Sequence, residues 1–331
     1  MNFFIHRIIL LITLSLILIR CSNYTPSNFQ SSIDSLSFLL QKDSLNIEFL
    51  HQRAQLFLAK DQISLAKKDI DNAYNIFKND TDLLLTRGEV YYSLNQTRIS
   101  KESWDRCIRL DPNNLDCREK FTNLLCAVKY PDCKLMIDTF ALLNEGIVST
   151  RLIVYLKELN EYERAVNLIQ NRLSKFPQEK ESLSLLSIIY SDTSQINSVF
   201  NKSLAENYFN EIIRLYPNDY QVYYNFGKYK QDLFQYQDAV NLYSVAINID
   251  PEAEESYYNL GFCYMQLEDY SVAIDYFTSA LKINSSLLLA YHARAYLYGL
   301  IGEKDKARSD WKNCLMLNPS YIPAIDALSE I

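Results

Sequence analysis

The chain has 331 residues, of which 48% are hydrophobic and 22% are charged, and this composition excludes wholesale disorder. Its formal net charge of −7 argues against binding to nucleic acid and against electrostatic attraction to anionic lipid. A globular chain of this length usually forms two domains. A repeat array grows in one dimension, so its length does not indicate the number of domains.

The first 20 residues predict a targeting segment. After Arg7 an apolar run covers residues 8–19. This run is shorter than the roughly 20 residues of a membrane-spanning helix and fits the core of a secretory signal. It ends in Leu-Ile-Arg-Cys-Ser-Asn, in which the cysteine is Cys21. This ending resembles the lipobox of bacterial lipoprotein signal peptides, although Arg20 stands where that family has a small residue.

Three interpretations of this segment are open: a lipoprotein signal with lipidation at Cys21, an uncleaved membrane anchor in residues 1–20, and a plain secretory signal. The lipoprotein resemblance implies a bacterial cell-envelope protein that is attached to the membrane through its N-terminus and faces the periplasm. Without residues 1–20, which carry Arg7 and Arg20, the net charge falls from −7 to −9. The N-terminus is therefore the expected membrane contact. The polar residues that follow predict an irregular tether over 21–32.

The rest of the chain has an internal period of 34 residues. Pro217 and Pro251 are 34 residues apart, and Pro319 follows at 68, twice that interval. Small residues repeat at the same interval in two positions of the period: Ala239, Ala273 and Ala307, and Gly227, Gly261 and Ala295. Two helices can approach closely only where Gly or Ala leaves room, and aromatic residues fill the neighbouring turns. The proline prevents the second helix from continuing into the next repeat.

This pattern resembles the tetratricopeptide repeat, a helix-turn-helix element of 34 residues. The resemblance implies an all-α fold, a right-handed superhelical solenoid of about seven to eight helix pairs over residues 33–331. The clearest repeats cover residues 47–80, 81–114, 146–179, 180–219, 220–253, 254–287 and 288–321. Residues 115–145 lack the small-residue signature and are interpreted as a degenerate repeat. The alternative is a break there between two shorter arrays.

Three segments depart from the regular repeat. The repeat that ends at Pro217 is longer than its neighbours, and its polar surplus around residues 192–200 predicts a loop. Residues 322–331 have Pro323 near a helix start and predict a short helix that caps the last repeat. Before the first repeat, apolar residues indicate a helix that packs on it: Ile33, Leu36, Phe38, Leu39 and Leu40.

Seven cysteines are present, and their spacing supports neither a zinc site nor a c-type haem site. Cys107 and Cys314 fall where the repeat has a small apolar residue and are interpreted as core, and Cys263 lies within a predicted helix. Three others are clustered: Cys117, Cys126 and Cys133. A disulfide within this cluster is one interpretation if the compartment is oxidising. Buried free thiols are the favoured interpretation.

The sequence carries no recognisable catalytic motif. The two histidines after residue 20, His51 and His292, lie in different repeats, and no dinucleotide-binding, P-loop, zincin or nucleophile-elbow pattern occurs. Carboxylates are scattered, and those after Pro251 fall at a helix start, where they favour the helix dipole. We therefore expect a non-enzymatic protein with no cofactor, no metal and no small-molecule substrate.

The inner surface of the array is the predicted binding site. The tetratricopeptide resemblance implies a groove that is lined by the first helices, where partner peptides lie extended and asparagines bind the peptide backbone. The candidate partner-binding residues are Tyr224, Asn225, Lys228, Tyr258, Asn259, Phe262, His292 and Tyr296. Aromatic rings beside amides suit a peptide with apolar side chains. The alternative is that these aromatic residues only pack between helices.

One subset of the family binds the C-terminal carboxylate of chaperone tails with Lys, Arg and Asn residues. Asn259 matches the central Asn, but Leu289 and Ala293 stand where a Lys and an Arg would be expected, so the chain does not resemble a chaperone-tail receptor. The leading hypothesis is a protein-interaction scaffold in the cell envelope. The alternatives are a permanent structural subunit of an outer-membrane or secretion assembly and, less favoured, a glycan-binding lipoprotein.

Overall fold

The computed structural model describes residues 26–194 and 196–330. Cys21, the signal segment and the first part of the predicted tether lie outside these residues. The described residues form 18 α-helices in two compact units, one that ends at Glu145 and one that begins at Gly146. In the described part of the chain, no helix is both long and apolar enough to span a bilayer.

The N-terminal unit consists of a leading helix and three helix pairs. Its helices are α1 (Pro26–Lys42), α2 (Ile47–Ala59), α3 (Ile63–Ile76), α4 (Thr81–Ser93), α5 (Thr97–Leu110), α6 (Leu115–Ala127) and α7 (Cys133–Leu143). Because α1 begins at Pro26, the irregular tether predicted for residues 21–32 is wrong from that residue onward. Proline is tolerated in a first turn, where its missing N–H needs no partner. Ile33 and Leu40 of α1 pack into the core of the first pair.

The C-terminal unit consists of five helix pairs and a closing helix. Its helices are α8 (Thr150–Glu158), α9 (Tyr162–Lys175), α10 (Lys180–Ser191), α11 (Lys202–Leu215), α12 (Tyr220–Asp232), α13 (Tyr236–Ile249), α14 (Glu254–Gln266), α15 (Tyr270–Ile283), α16 (Leu288–Leu300), α17 (Lys304–Leu317) and α18 (Ile322–Glu330). The surplus residues connect α10 to α11. There the Asn197 amide donates hydrogen bonds to the carbonyls of Ile189 and Asp192 at 2.7 and 2.8 Å.

Within each unit every helix packs against the next one along the chain. The predicted all-α fold of stacked helix-turn-helix repeats is confirmed in both units. Asn46, Asp80 and Asn114, one repeat apart, cap α2, α4 and α6 by accepting hydrogen bonds from backbone N–H groups of the first turn. Each such cap contributes about 1 kcal/mol to helix stability.

The turn inside most helix pairs contains one residue with positive φ. These residues recur at the repeat interval: Asp61, Asn95 and Lys129 in the N-terminal unit, and Phe234, Glu268 and Gly302 in the C-terminal unit. A residue in this left-handed conformation ends an α-helix and reverses the chain. Lys129 keeps the interval within residues 115–145, where α6 and α7 form a helix pair. The backbone turn therefore persists in this repeat although its small-residue signature is missing.

In the regular repeats a ring of the second helix lies against a small residue of the first. A Cβ atom on Gly261 would lie 2.8 Å from the buried ring of Phe277. A Cβ atom on Gly88 would lie 2.1 Å from the buried indole of Trp104. Neither ring can move far in a closely packed interior, so the missing side chain sets the distance between the two helices.

We predict that Gly261→Ala destabilises the fold and that Gly299→Ala stabilises it. The first change forces a methyl group into the Phe277 ring, which costs about 1–3 kcal/mol. Gly299 is exposed within α16, and a Cβ atom there would meet nothing within 4 Å. Alanine at that position gains about 1 kcal/mol of helix propensity. Urea denaturation followed by circular dichroism measures both variants, and equal shifts of their midpoints would contradict the packing argument.

Two disulfides hold the middle of the N-terminal unit: Cys107–Cys117 and Cys126–Cys133. The favoured interpretation of buried free thiols is therefore wrong for Cys117, Cys126 and Cys133. Cys107 is buried in the core, as predicted, and is disulfide-bonded. The short connection between α5 and α6 brings the Cα atoms of Cys107 and Cys117 to 6.3 Å, and the Cα atoms of the second pair are 4.9 Å apart. Helical periodicity assigns residues to faces, but it does not show which two cysteines meet across a turn.

Cys263 and Cys314 are free and buried, and the burial of Cys314 confirms its predicted core position. Burial raises the pKa of the Cys263 thiol to about 12 and that of the Cys314 thiol to about 11. Both thiols are therefore protonated at neutral pH and unreactive.

We predict that non-reducing peptide mapping recovers the Cys107–Cys117 and Cys126–Cys133 links. Alkylation should label Cys263 and Cys314 only after denaturation. Cys117→Ser should lower the free energy of unfolding by roughly 3 kcal/mol, because without the disulfide the loop between Cys107 and Cys117 is open and the unfolded chain gains conformational freedom. Four cysteines that alkylate freely in the protein isolated from its native compartment would contradict this pairing.

Candidate functional site

A groove crosses the first helices of three successive repeats in the C-terminal unit, α12, α14 and α16. Its volume is about 370 Å³. The lining residues are Tyr224, Lys228, Gln231, Glu255, Tyr258, Asn259, Ser286, Leu287, Leu288, Leu289 and Ala290. Four of the predicted binding residues are thus brought together here: Tyr224, Lys228, Tyr258 and Asn259.

The two groove tyrosines are held from behind by the rings of the second helices. Tyr224 packs against Tyr243 with ring centroids 5.9 Å apart, and Tyr258 packs against Phe277 at 5.5 Å. Both pairs are tilted, which suits the quadrupoles of aromatic rings. Each tyrosine therefore presents one part of its ring to the groove and contributes the other part to the packing of its repeat.

Hydrogen-bonding groups of the groove belong to neighbouring repeats. Tyr224 of α12 and Asn259 of α14 both line the groove, so its hydroxyl and amide groups come from two successive repeats. Burial raises the pKa of Tyr224 and of Tyr258, so both hydroxyl groups keep their protons well above neutral pH. The groove can thus offer hydroxyl and amide groups to the backbone of a bound segment.

The remaining lining consists of an apolar turn and of polar side chains whose charges are balanced. Lys228 and Glu255 are both exposed and of opposite charge. The residues from Leu287 to Ala290 form the turn into α16 and its first residues, and Leu289 is 58% exposed. An exposed leucine beside two tyrosines provides an apolar surface with few charges, which is characteristic of the centre of a protein-binding site.

Four predicted binding residues do not line this groove. On α12, Asn225 accepts a hydrogen bond from Gln221 of the same helix. Phe262 is half-buried, packs into the core between repeats and contacts the Tyr236 ring edge-on at 6.4 Å. Tyr296 on α16 is 52% exposed and lies outside the lining.

His292 packs between Trp311 and Tyr321. Its ring lies edge-on to both, at 5.1 and 5.7 Å, and its Nδ1 is 2.8 Å from the Tyr321 hydroxyl. His292 holds the same repeat position as Tyr224 and Tyr258. However, Tyr321 directly precedes the closing helix α18 and covers this position in the last repeat, so the groove does not extend over it.

Sequence reasoning missed the apolar turn at Leu287–Ala290 and the acidic Glu255. A run of leucines at the start of a first helix was a usable signal, because one face of that helix must remain outside the core. Among the described residues, no group of His, Cys, Asp or Glu side chains is arranged to hold a metal ion.

Both family models that match this chain span 34 residues, the predicted repeat length, and one of them begins where a predicted repeat begins. A family model described as tetratricopeptide repeat matches residues 254–287, the bounds of one predicted repeat, and a second described as TPR repeat matches residues 235–268. No curated protein gives a significant sequence match.

Three solved structures are similar to this chain at low identity. The C-terminal part of a TPR repeat-containing protein from Cytophaga hutchinsonii is 17% identical, with a TM-score of 0.36, and the match covers 91% of this chain and 95% of that one. The first TPR of Spaghetti (RPAP3) bound to an HSP90 peptide is 22% identical, with a TM-score of 0.32, and the match covers 34% of this chain and 90% of that one. A chain of the APC/C hetero-tetramer Cut9–Hcn1 is 17% identical, with a TM-score of 0.42, and the match covers 91% of this chain and 52% of that one.

The third match therefore leaves about half of that solved chain without a counterpart here. Residues 235–287 match tetratricopeptide-repeat family models, and the other helix pairs of both units have the same helix-turn-helix architecture.

Proposed function

We propose that this chain is a non-enzymatic scaffold that binds a protein or peptide segment in the groove of the C-terminal unit. The observation that carries this proposal is the groove itself. Tyr224, Tyr258 and Leu289 provide an apolar surface across three repeats, and the Asn259 amide lies in the same lining. Rigid helix pairs support these side chains, so little conformational entropy is lost when a partner binds.

The groove favours an extended segment with apolar side chains over an acidic tail. Leu289 is exposed, Ala293 is buried, and neither side chain can bind a carboxylate. Lys228 is matched by Glu255 within the same lining. Hydrogen bonds from Asn259 to a peptide backbone would fix the direction of the segment, while the two tyrosines and the leucine would accommodate its side chains.

The proposed location is the periplasmic side of the bacterial cell envelope, with attachment through a lipid on Cys21. Two disulfides in the N-terminal unit support an exported protein, since disulfides persist in oxidising compartments and are rare in the cytosol. This support is independent of the N-terminal sequence.

One observation favours the alternative of a permanent structural subunit. Leu135 and Leu142 lie two turns apart on α7 and are 62% and 83% exposed. Exposed apolar residues on one helix face suit a lasting protein contact. A partner that remains bound through high salt would favour this alternative over a transient adaptor. Glycan binding in calorimetry would favour the glycan-binding alternative.

We predict that Leu289→Glu weakens the binding of a groove peptide at least about tenfold, because a buried carboxylate is left without a partner. The peptide is selected from a random library on the immobilised full-length chain, and its affinity is measured by fluorescence anisotropy. Leu300→Glu is the matched control, since Leu300 is on the same helix, is 51% exposed and does not line the groove. Selected peptides that bind both variants equally would exclude the groove as their site.

We predict that Cys21→Ala abolishes incorporation of an alkyne-labelled fatty acid and moves the protein from the detergent phase to the aqueous phase. The reason is that a diacyl anchor supplies most of the membrane affinity of an acidic protein. Ser22→Ala is the control, because it changes the neighbouring residue and leaves the thiol intact. A Cys21→Ala protein that still partitions with membranes, with no label in either form, would favour an uncleaved anchor.

A further inference from the structure

A second cavity, in the N-terminal unit, differs from the balanced groove in having more basic than acidic side chains. Its volume is about 450 Å³, and no predicted binding residue lines it. It lies between α3 and α5, with Arg87 contributed by α4. The lining residues are Tyr74, Asn79, Arg87, Glu102, Ser103, Arg106, Arg109 and Leu110. Three arginines and one glutamate give this surface a positive charge in a chain whose net charge is −7.

Two other repeats show how an arginine at this position is normally neutralised. Arg53 donates two hydrogen bonds to the buried carboxylate of Asp69, at 2.6 and 2.8 Å. Arg294 donates two to the buried carboxylate of Asp310, at 2.7 and 2.8 Å. In both repeats the aspartate follows the arginine by 16 residues. Such paired contacts are the strongest that a guanidinium group makes with a carboxylate.

Arg87 holds the same repeat position, 34 residues after Arg53, but the residue 16 positions later is Ser103. Its Nη1 donates one hydrogen bond to the Ser103 hydroxyl at 2.7 Å. Its Nε is buried and has no hydrogen-bond partner among the described residues. Arg87 therefore lacks the paired carboxylate contact that its counterparts make, and it lines the cavity.

The nearest carboxylate does not replace the missing aspartate. An oxygen of Asp71 is 3.9 Å from Arg87 Nε, which is too far for a hydrogen bond. Asp71 instead accepts hydrogen bonds from the Tyr91 hydroxyl at 2.9 Å and from Lys67 at 2.7 Å. The Arg87 guanidinium lies over the rings of Tyr74 and Tyr91, at 4.3 and 4.8 Å from their centroids, which fixes its plane.

The other two arginines lie nearer the opening. Arg106 is half-buried and donates a hydrogen bond to the Asn79 side chain at 2.6 Å. Arg109 is exposed and forms an ion pair with Asp105 at 2.5 Å. Both keep further N–H donors for a ligand, because a guanidinium group has five.

We propose that this cavity binds a ligand with two or more carboxylate groups. One carboxylate pairs with the Arg87 guanidinium group and supplies the negative charge that Asp69 and Asp310 supply in the other repeats, and a second contacts Arg106 and Arg109. The volume suits a small di- or tricarboxylate. Acidic side chains of a protein segment are the other source of the same chemistry. This site is separate from the groove, and either proposal can fail without the other.

Isothermal titration calorimetry on the full-length chain tests the site with citrate, with a triglutamate peptide and with inorganic phosphate. Arg87→Gln should weaken binding of the carboxylate probes at least about tenfold, because a charge-assisted pair is lost. Ser103→Asp should weaken it as much by supplying an internal carboxylate, and it should fold because two other repeats contain that pair. Arg294→Gln is the control, since Arg294 holds the same repeat position in the C-terminal unit, and binding should be unchanged.

If citrate binds more tightly than the peptide, the ligand is a small di- or tricarboxylate. If the peptide binds more tightly, the ligand is an acidic segment of a protein. Three results would overturn the proposal: no binding of either carboxylate probe, binding of phosphate alone, or full affinity in the Ser103→Asp variant.

Discussion

The contact between a ring of the second helix and a small residue of the first is the constraint on which the regular repeats depend. Phe277 lies where a side chain on Gly261 would stand, and Tyr243 has the same relation to Gly227. Because neither ring is exposed, the distance between the two helices follows from the size of one residue on each. Capping asparagines and aspartates and left-handed turn residues at the same interval then fix where each helix begins and ends.

The groove is built on the same contact. Tyr258 packs on Phe277 and Tyr224 packs on Tyr243, so each groove ring rests on a ring that sets the helix spacing. Recognition and folding therefore share side chains, and the loss of a groove tyrosine affects both. Leu289 and Lys228 belong to the groove without belonging to the core, since both are exposed. These residues are the ones through which binding can change without a loss of stability.

In the N-terminal unit, one repeat lacks the small-residue packing between its helices and has disulfides in its place. The helix pair α6–α7 has no small-residue signature, yet it keeps the left-handed turn at Lys129 and gains two disulfides that tie α6 to its neighbours. The preceding repeat keeps its packing but has Ser103 where two other repeats have an aspartate. A residue that differs between equivalent positions of the repeats thus marks a local interaction that the other repeats lack.

The sequence by itself determined the fold class, the phase of the repeats and the closing helix, because all three follow from a 34-residue period of small residues, rings and prolines. It also placed Tyr224, Lys228, Tyr258 and Asn259 on one surface, since residues one repeat apart share a face. Tertiary structure alone decided the rest. His292 has the same position as Tyr258 but is covered by Tyr321, and Cys107 meets Cys117 across a turn. A repeating pattern predicts neither contact. Periodicity assigns a residue to a helix face, whereas its neighbours at the end of an array or across a connection depend on the three-dimensional structure.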